Sequence, residues 1–102
     1  MSKYFLHGKL SAKEGQGDVL ADILLQGAKS LSAVKGCISY FISKDPGNNN
    51  TIWTTEIWES KEDHDNSIFM DEVRILISLA QPLIDGQPEK GQELEIAGGL
   101  GV

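Results

Sequence analysis

The order of periodicities along this chain predicts an α+β fold. It is a ferredoxin-like β-α-β-β-α-α-β arrangement: an antiparallel four-stranded sheet with helices on one face. Three observations carry the expectation. Residues 19–31 repeat apolar side chains at helical spacing between two β-rich runs. A Pro-, Gly- and Asn-rich loop, DPGNNN at 45–50, separates two more β-rich runs, as in an antiparallel hairpin. From Ser60 the pattern turns helical again, before a last short strand.

Tyr4–Leu10 (YFLHGKL) is short, aromatic-rich and followed by polar residues and glycine, which predicts the first strand. Asp18 stands where it would cap a helix over 18–32, with the stripe Val19, Leu20, Ile23, Leu24, Ala28 and Leu31. Gly27 costs that helix about 1 kcal/mol relative to Ala, and suits a close approach of helix to sheet. Cys37–Lys44 (CISYFISK) and Thr51–Glu59 (TIWTTEIWE) carry the β-branched and aromatic residues of the hairpin strands. Ser60 and Asp63 match a capping box, with Asp in place of Glu or Gln, so a short polar helix starts here and runs to about Phe69. Asp71 begins another helix, with the stripe Val73, Leu76, Ile77 and Ala80. Pro82 stops it, and Leu83 and Ile84 add one turn before Gly86. Gln92–Ala97 (QELEIA) is the last strand, followed by a Gly-rich tail.

Alternation along Thr51–Glu59 sets Ile52, Thr54, Glu56 and Trp58 on one face, and Trp53, Thr55 and Ile57 on the other. Both faces therefore carry large apolar groups, and the helices cover only one. A bare apolar sheet face is an interaction surface. A second copy would cover it, making a homodimer and closing a dimeric α/β barrel. At 102 residues the chain is expected to form one domain, 1–102, with a modest core that pairing reinforces.

Composition narrows the function classes. The net charge is −6, and nine Lys and Arg lie scattered along the chain, so no basic stripe exists for nucleic acid or an anionic membrane. Cys37 is the single cysteine, which excludes an intramolecular disulfide. The segment MSKYFLHGKL lacks the apolar run of a secretory signal, and no stretch nears the ~20 apolar residues of a membrane span, so the expected location is cytoplasmic. No C-x-x-C, H-x-H or H-E-x-x-H pattern points to a metal, and no G-x-G-x-x-G or P-loop points to a nucleotide.

The run Thr55-Glu56-Ile57-Trp58-Glu59-Ser60-Lys61-Glu62-Asp63-His64, together with Val73-Arg74, Pro82-Leu83-Ile84 and the Gly-rich end, resembles the antibiotic biosynthesis monooxygenase family of dimeric α/β barrels. The resemblance spans essentially the whole chain, and its most specific piece is E-x-W-E-S entering a capped helix. It implies a small enzyme that oxygenates quinols, anthrones or other polyphenols with dioxygen and without metal or flavin. It also implies an active cavity between sheet and helices, lined by an aromatic at Trp58. In some members an Arg on the last long helix is used, which Arg74 approximately matches. Other barrels of this kind handle haem, using an Asn on the first strand and a His after the Trp strand. This chain departs from them: the first strand offers His7 and Gly8, and His64 falls earlier after Trp58. A ligand-binding or stress-response module of the same fold is the remaining alternative.

The chemistry asks for a wall to hold a flat ring and a group to take a proton. Trp58 fits the wall, or anchors the core between strand and helix. Trp53 faces the other way and suits an interface. His64 and His7 are the candidate bases, since imidazole titrates in the useful range. His64 sits among Glu62, Asp63 and Asp65, which also describes a solvated helix start. Arg74 fits a phenolate, or an ion pair with Asp71 one turn back. Tyr40 and Tyr4 carry hydroxyls able to bond a quinol oxygen, or simply pack. Asn66 and Ser67 lie on the short helix as further candidates for the cavity. Cys37 has no partnering His in sequence and reads as a small buried hydrophobe.

Overall fold

Strand β1 (Lys3–Ser11) leads into helix α1 (Gly17–Leu31), then the hairpin strands β2 (Cys37–Asp45) and β3 (Asn48–Trp58). Helix α2 (Lys61–Ser67), helix α3 (Asp71–Ala80), a 3-10 turn (Gln81–Leu83) and strand β4 (Gln92–Ile96) complete the order. The computed structural model describes residues 2–87 and 89–102. The strands form one sheet in the order β2-β3-β1-β4, with every neighbouring pair antiparallel. This is the expected ferredoxin-like α+β fold.

The hairpin is tighter than the composition of its loop suggests. Oδ1 of Asp45 accepts from the backbone N–H of Gly47 at 2.8 Å, closing the turn at Pro46-Gly47. Asn48 can therefore pair with Asp45, and β3 begins three residues before the predicted Thr51. Asp18 does not cap α1. Gln16 occupies the cap position without a side-chain bond, and Asp18 instead holds the Lys44 ammonium at 2.9 Å. The helix starts at Gly17 because it is pressed onto the hairpin: a Cβ there would fall 1.9 Å from the Asn49 carbonyl oxygen. The Ser60 cap forms as expected, its hydroxyl accepting from Asp63 N–H at 3.1 Å. Gly27 faces Leu76 of α3 rather than the sheet.

The helices pack on one sheet face and bury two separate apolar clusters. One gathers Ala12, Leu20, Ala21, Ile52 and Ala80; the other gathers Tyr4, Leu31 and Trp58. Ile52 and Trp58 are the two ends of a single row on β3. Between them that row presents Thr54 and Glu56, which cannot fill a core, and the layer is hollow there. The opposite face carries an aromatic stack. The His7 ring lies 4.9 Å from Trp53 and 6.1 Å from Phe5, centroid to centroid. Phe41 and Leu94 on this side remain 49% and 57% exposed.

Candidate active site

The hollow is a cavity of about 340 Å³ between the sheet and the helices. Its floor is Leu10, Tyr40, Thr54 and Glu56; α1 supplies Ile23, Leu24, Gly27 and Leu31. Helix α3 closes it with Val73, Leu76, Ile77 and Ala80, while His64, Ser67 and Ile68 border it from α2 and the turn that follows. Most of the wall is aliphatic, so a ligand here exchanges water for apolar contact.

The polar end of the cavity is built on three residues. The fully buried Trp58 donates its indole N–H to Oε1 of Glu56 at 3.1 Å. Nε2 of His64 lies 3.8 Å from that same oxygen, and Nδ1 lies 2.9 Å from Oδ1 of Asp65. The His64 and Glu56 side chains are only 14% and 12% exposed, whereas Asp65 is 46% exposed. An ionised Asp65 fixes the proton of neutral His64 on Nδ1 and leaves Nε2 free to accept. The ring is further held edge-on to Trp58, at 5.7 Å and 82°, and against Tyr4 at 5.2 Å. Ser67 donates its hydroxyl to the His64 carbonyl at 2.6 Å, so its role at the border is to fix the turn of α2.

Burial shifts the acidities in one direction. Loss of water raises the Glu56 carboxyl above the usual range, while the Trp58 N–H and the His64 charge pull it partly back. Burial, then Glu56 and Cys37, hold the Tyr40 phenol above its usual value. Burial and Glu93 push Tyr4 up to about 12. Hydrogen bonds from Lys61, then His64, lower Asp65. Burial raises the Cys37 thiol, which makes it a poorer nucleophile.

The predicted site residues are thus divided. Tyr40, His64 and Ser67 border the cavity, and Trp58 stands behind Glu56 and His64 as the group that orients them. His7 lies on the other side of the sheet, because odd-numbered residues of β1 point away from the helices; its Nδ1 meets the Thr55 hydroxyl at 2.9 Å. Arg74 is exposed on α3, off the Val73–Leu76–Ile77–Ala80 stripe that faces the cavity. Asn66 is likewise exposed, whereas His64 and Ser67, three residues apart, are the α2 residues that border the cavity. Glu56 was not among the predicted site residues. The signal for it was a carboxylate on the Ile52–Trp58 face, where an unpaired charge is costly.

Among the described residues no group of three or more His, Cys, Asp or Glu is arranged to hold a metal ion. No helix among them is long and apolar enough to cross a membrane.

Residues 3–68 match the family profile of antibiotic biosynthesis monooxygenases. The chain belongs to the antibiotic biosynthesis monooxygenase family. A candidate antibiotic biosynthesis monooxygenase from Chloroflexus aurantiacus J-10-fl is 39% identical, with 96% of each chain covered and a TM-score of 0.86. Two further candidate monooxygenases share the fold at low identity. The one from Nitrosomonas europaea has a TM-score of 0.88 at 9% identity, covering 94% of this chain and 91% of its own. The one from Caulobacter crescentus CB15 has a TM-score of 0.86 at 13% identity, covering 95% and 92%. No curated protein matches the chain. Family membership supports small-molecule binding and a monooxygenase-like function in general terms.

Proposed function

We propose that the chain is a cytoplasmic, single-domain monooxygenase that oxidises flat polyphenolic aromatics, such as quinols or anthrones, with dioxygen and without a bound cofactor. One observation carries the reading: His64, tethered by Asp65, borders the end of an apolar cavity with its Nε2 3.8 Å from Glu56, beyond hydrogen-bond distance. Nε2 accepts a proton from a substrate hydroxyl, and Asp65 holds the imidazole in place as it becomes charged. The resulting phenolate is electron-rich enough to reduce dioxygen itself. For an anthrone-type carbon, CH2 becomes C=O: one oxygen atom stays on carbon and the other leaves as water with the two hydrogens. No outside reductant is required. The aliphatic walls keep bulk water from the anion.

The test is oxygen uptake with a panel of naphthoquinols and anthrones, comparing the native chain with His64→Asn. Turnover that depends on His64 supports the reading. No rate above the uncatalysed reaction across the panel removes it. Tight binding without consumption assigns a non-catalytic ligand-binding module instead.

The same reading includes a homodimer. The stack of Phe5, His7 and Trp53, with Phe41 and Leu94 half-exposed beside it, is an apolar sheet face of the kind a second copy covers. A folded species sedimenting at 11.1 kDa at micromolar concentration would overturn it.

A further inference from the structure

We propose that the cavity selects aromatics that carry a hydroxyl but no carboxylate, and that Glu56 sets this selection. The inference rests on the reading of the cavity as a hydroxyarene site and adds the charge class of its ligand. Among the described residues, neither Arg74 nor any lysine lines the cavity. The nearest cation on α2, Lys61, is 57% exposed and already pairs with Asp65 at 2.9 Å on the solvent side. The titratable groups that face the cavity are His64, Glu56 and the Tyr40 phenol. Both nitrogens of His64 already face carboxylates, Asp65 at 2.9 Å and Glu56 at 3.8 Å. When His64 and Glu56 share one proton they carry no net charge, and when they hold none they carry −1.

A ligand carboxylate entering this space loses its water, meets aliphatic walls, and finds Glu56 with no free cation to offset it. A ligand hydroxyl meets the opposite situation. It has two acceptors within reach, the Glu56 carboxylate and Nε2 of His64, and its ring replaces water along Leu24, Leu76 and Ile77. At about 340 Å³ the space lies at the small end of ligand pockets, roughly 300–1,000 Å³, and suits a compact fused-ring compound.

Calorimetric titration at pH 8 in the absence of dioxygen, with 2-naphthol and with 6-hydroxy-2-naphthoate, tests this, since the pair differs only in the carboxylate and without the oxidant neither can be oxygenated. We expect 2-naphthol to bind at least about tenfold tighter, given the repulsion between like charges at cavity distances. Glu56→Gln is expected to narrow the ratio by improving carboxylate binding several-fold. Gln81→Lys, which puts a cation on the lining from an exposed position, is expected to do the same, and it does not depend on the folding of a Glu56 variant. Equal or tighter binding of 6-hydroxy-2-naphthoate to the native chain overturns the proposal. Failure of both probes to bind overturns it together with the hydroxyarene reading. Oxygen uptake separates the two claims: the expected preference without turnover removes only the monooxygenase, and turnover with preference for carboxylated quinols removes only the selection.

Discussion

The indole N–H of Trp58 reaches back two residues along its own strand to Glu56, at 3.1 Å, and no part of Trp58 is exposed. A buried anchor therefore holds a carboxylate at the floor of the cavity. Trp58 does not itself line the cavity: the residue that fills the second apolar cluster aims the polar end of the site from behind. Trp58→Phe keeps a buried ring and removes the donor. Its expected cost is about 1–3 kcal/mol, since Glu56 then lacks its hydrogen-bonded partner. Urea denaturation at pH 8 measures it, and a variant as stable as the native chain would sink the account.

Glu56 gives the chain a pH signature. Burial raises its carboxyl in the folded state above the unfolded value, ordinarily about 4.3. The folded state thus binds the proton more tightly. The associated stability is fully present below the unfolded value and is lost as pH rises through the raised one. Glu56→Gln removes the titration. It is expected to match the native chain in urea at pH 4 and to exceed it at pH 8. A stability difference that is the same at both pH values would contradict the burial argument.

His64 carries the proposed proton transfer. His64→Asn is expected to lower kcat for a quinol by about 10²–10⁴-fold with little change in KM. Asp65→Asn is expected to lose less, because Asp65 is half-exposed and water can stand in for it. Arg74→Ala, outside the cavity, is expected to leave both constants unchanged. An undiminished kcat in His64→Asn would leave the imidazole without a catalytic role.

Gly17 is where the first helix meets the hairpin. An added methyl would sit 1.9 Å from the Asn49 carbonyl oxygen, a backbone atom that cannot swing aside. Gly17→Ala is expected to destabilise by about 1–3 kcal/mol, as overpacking does, despite the better helix propensity of Ala. A gain in thermal midpoint would refute that contact.

The fold was legible because alternation and helical spacing act over many residues. The Ile52–Trp58 row, the capping box at Ser60 and the stop at Pro82 each follow from local chemistry. The site was less so, because which side of an element a residue occupies depends on its neighbours. His7 reads as well for either side of β1 until its strand is registered against β3, where its partner is Thr55. His64 reads as solvated among acidic residues, yet the turn of α2 onto the sheet brings it to Tyr4 and Trp58. Glu56 was on the right face all along, and its significance follows only from the gap between the two apolar clusters.

The outer face offers the remaining test. Phe41 and Leu94 lie on opposite edges of the aromatic stack, Phe41 on β2 and Leu94 on β4, and both are about half exposed. Neither contributes to the apolar clusters beneath the helices, so charge can be placed there without disturbing the subunit core. In a face-to-face dimer the same positions become buried, and an unpaired carboxylate among them is costly. Phe41→Glu with Leu94→Glu is expected to keep the native far-ultraviolet circular dichroism while halving the sedimenting mass, from twice 11.1 kDa to 11.1 kDa. If the doubly charged chain still sediments at the higher mass, the copies meet elsewhere and the sheet face needs another occupant.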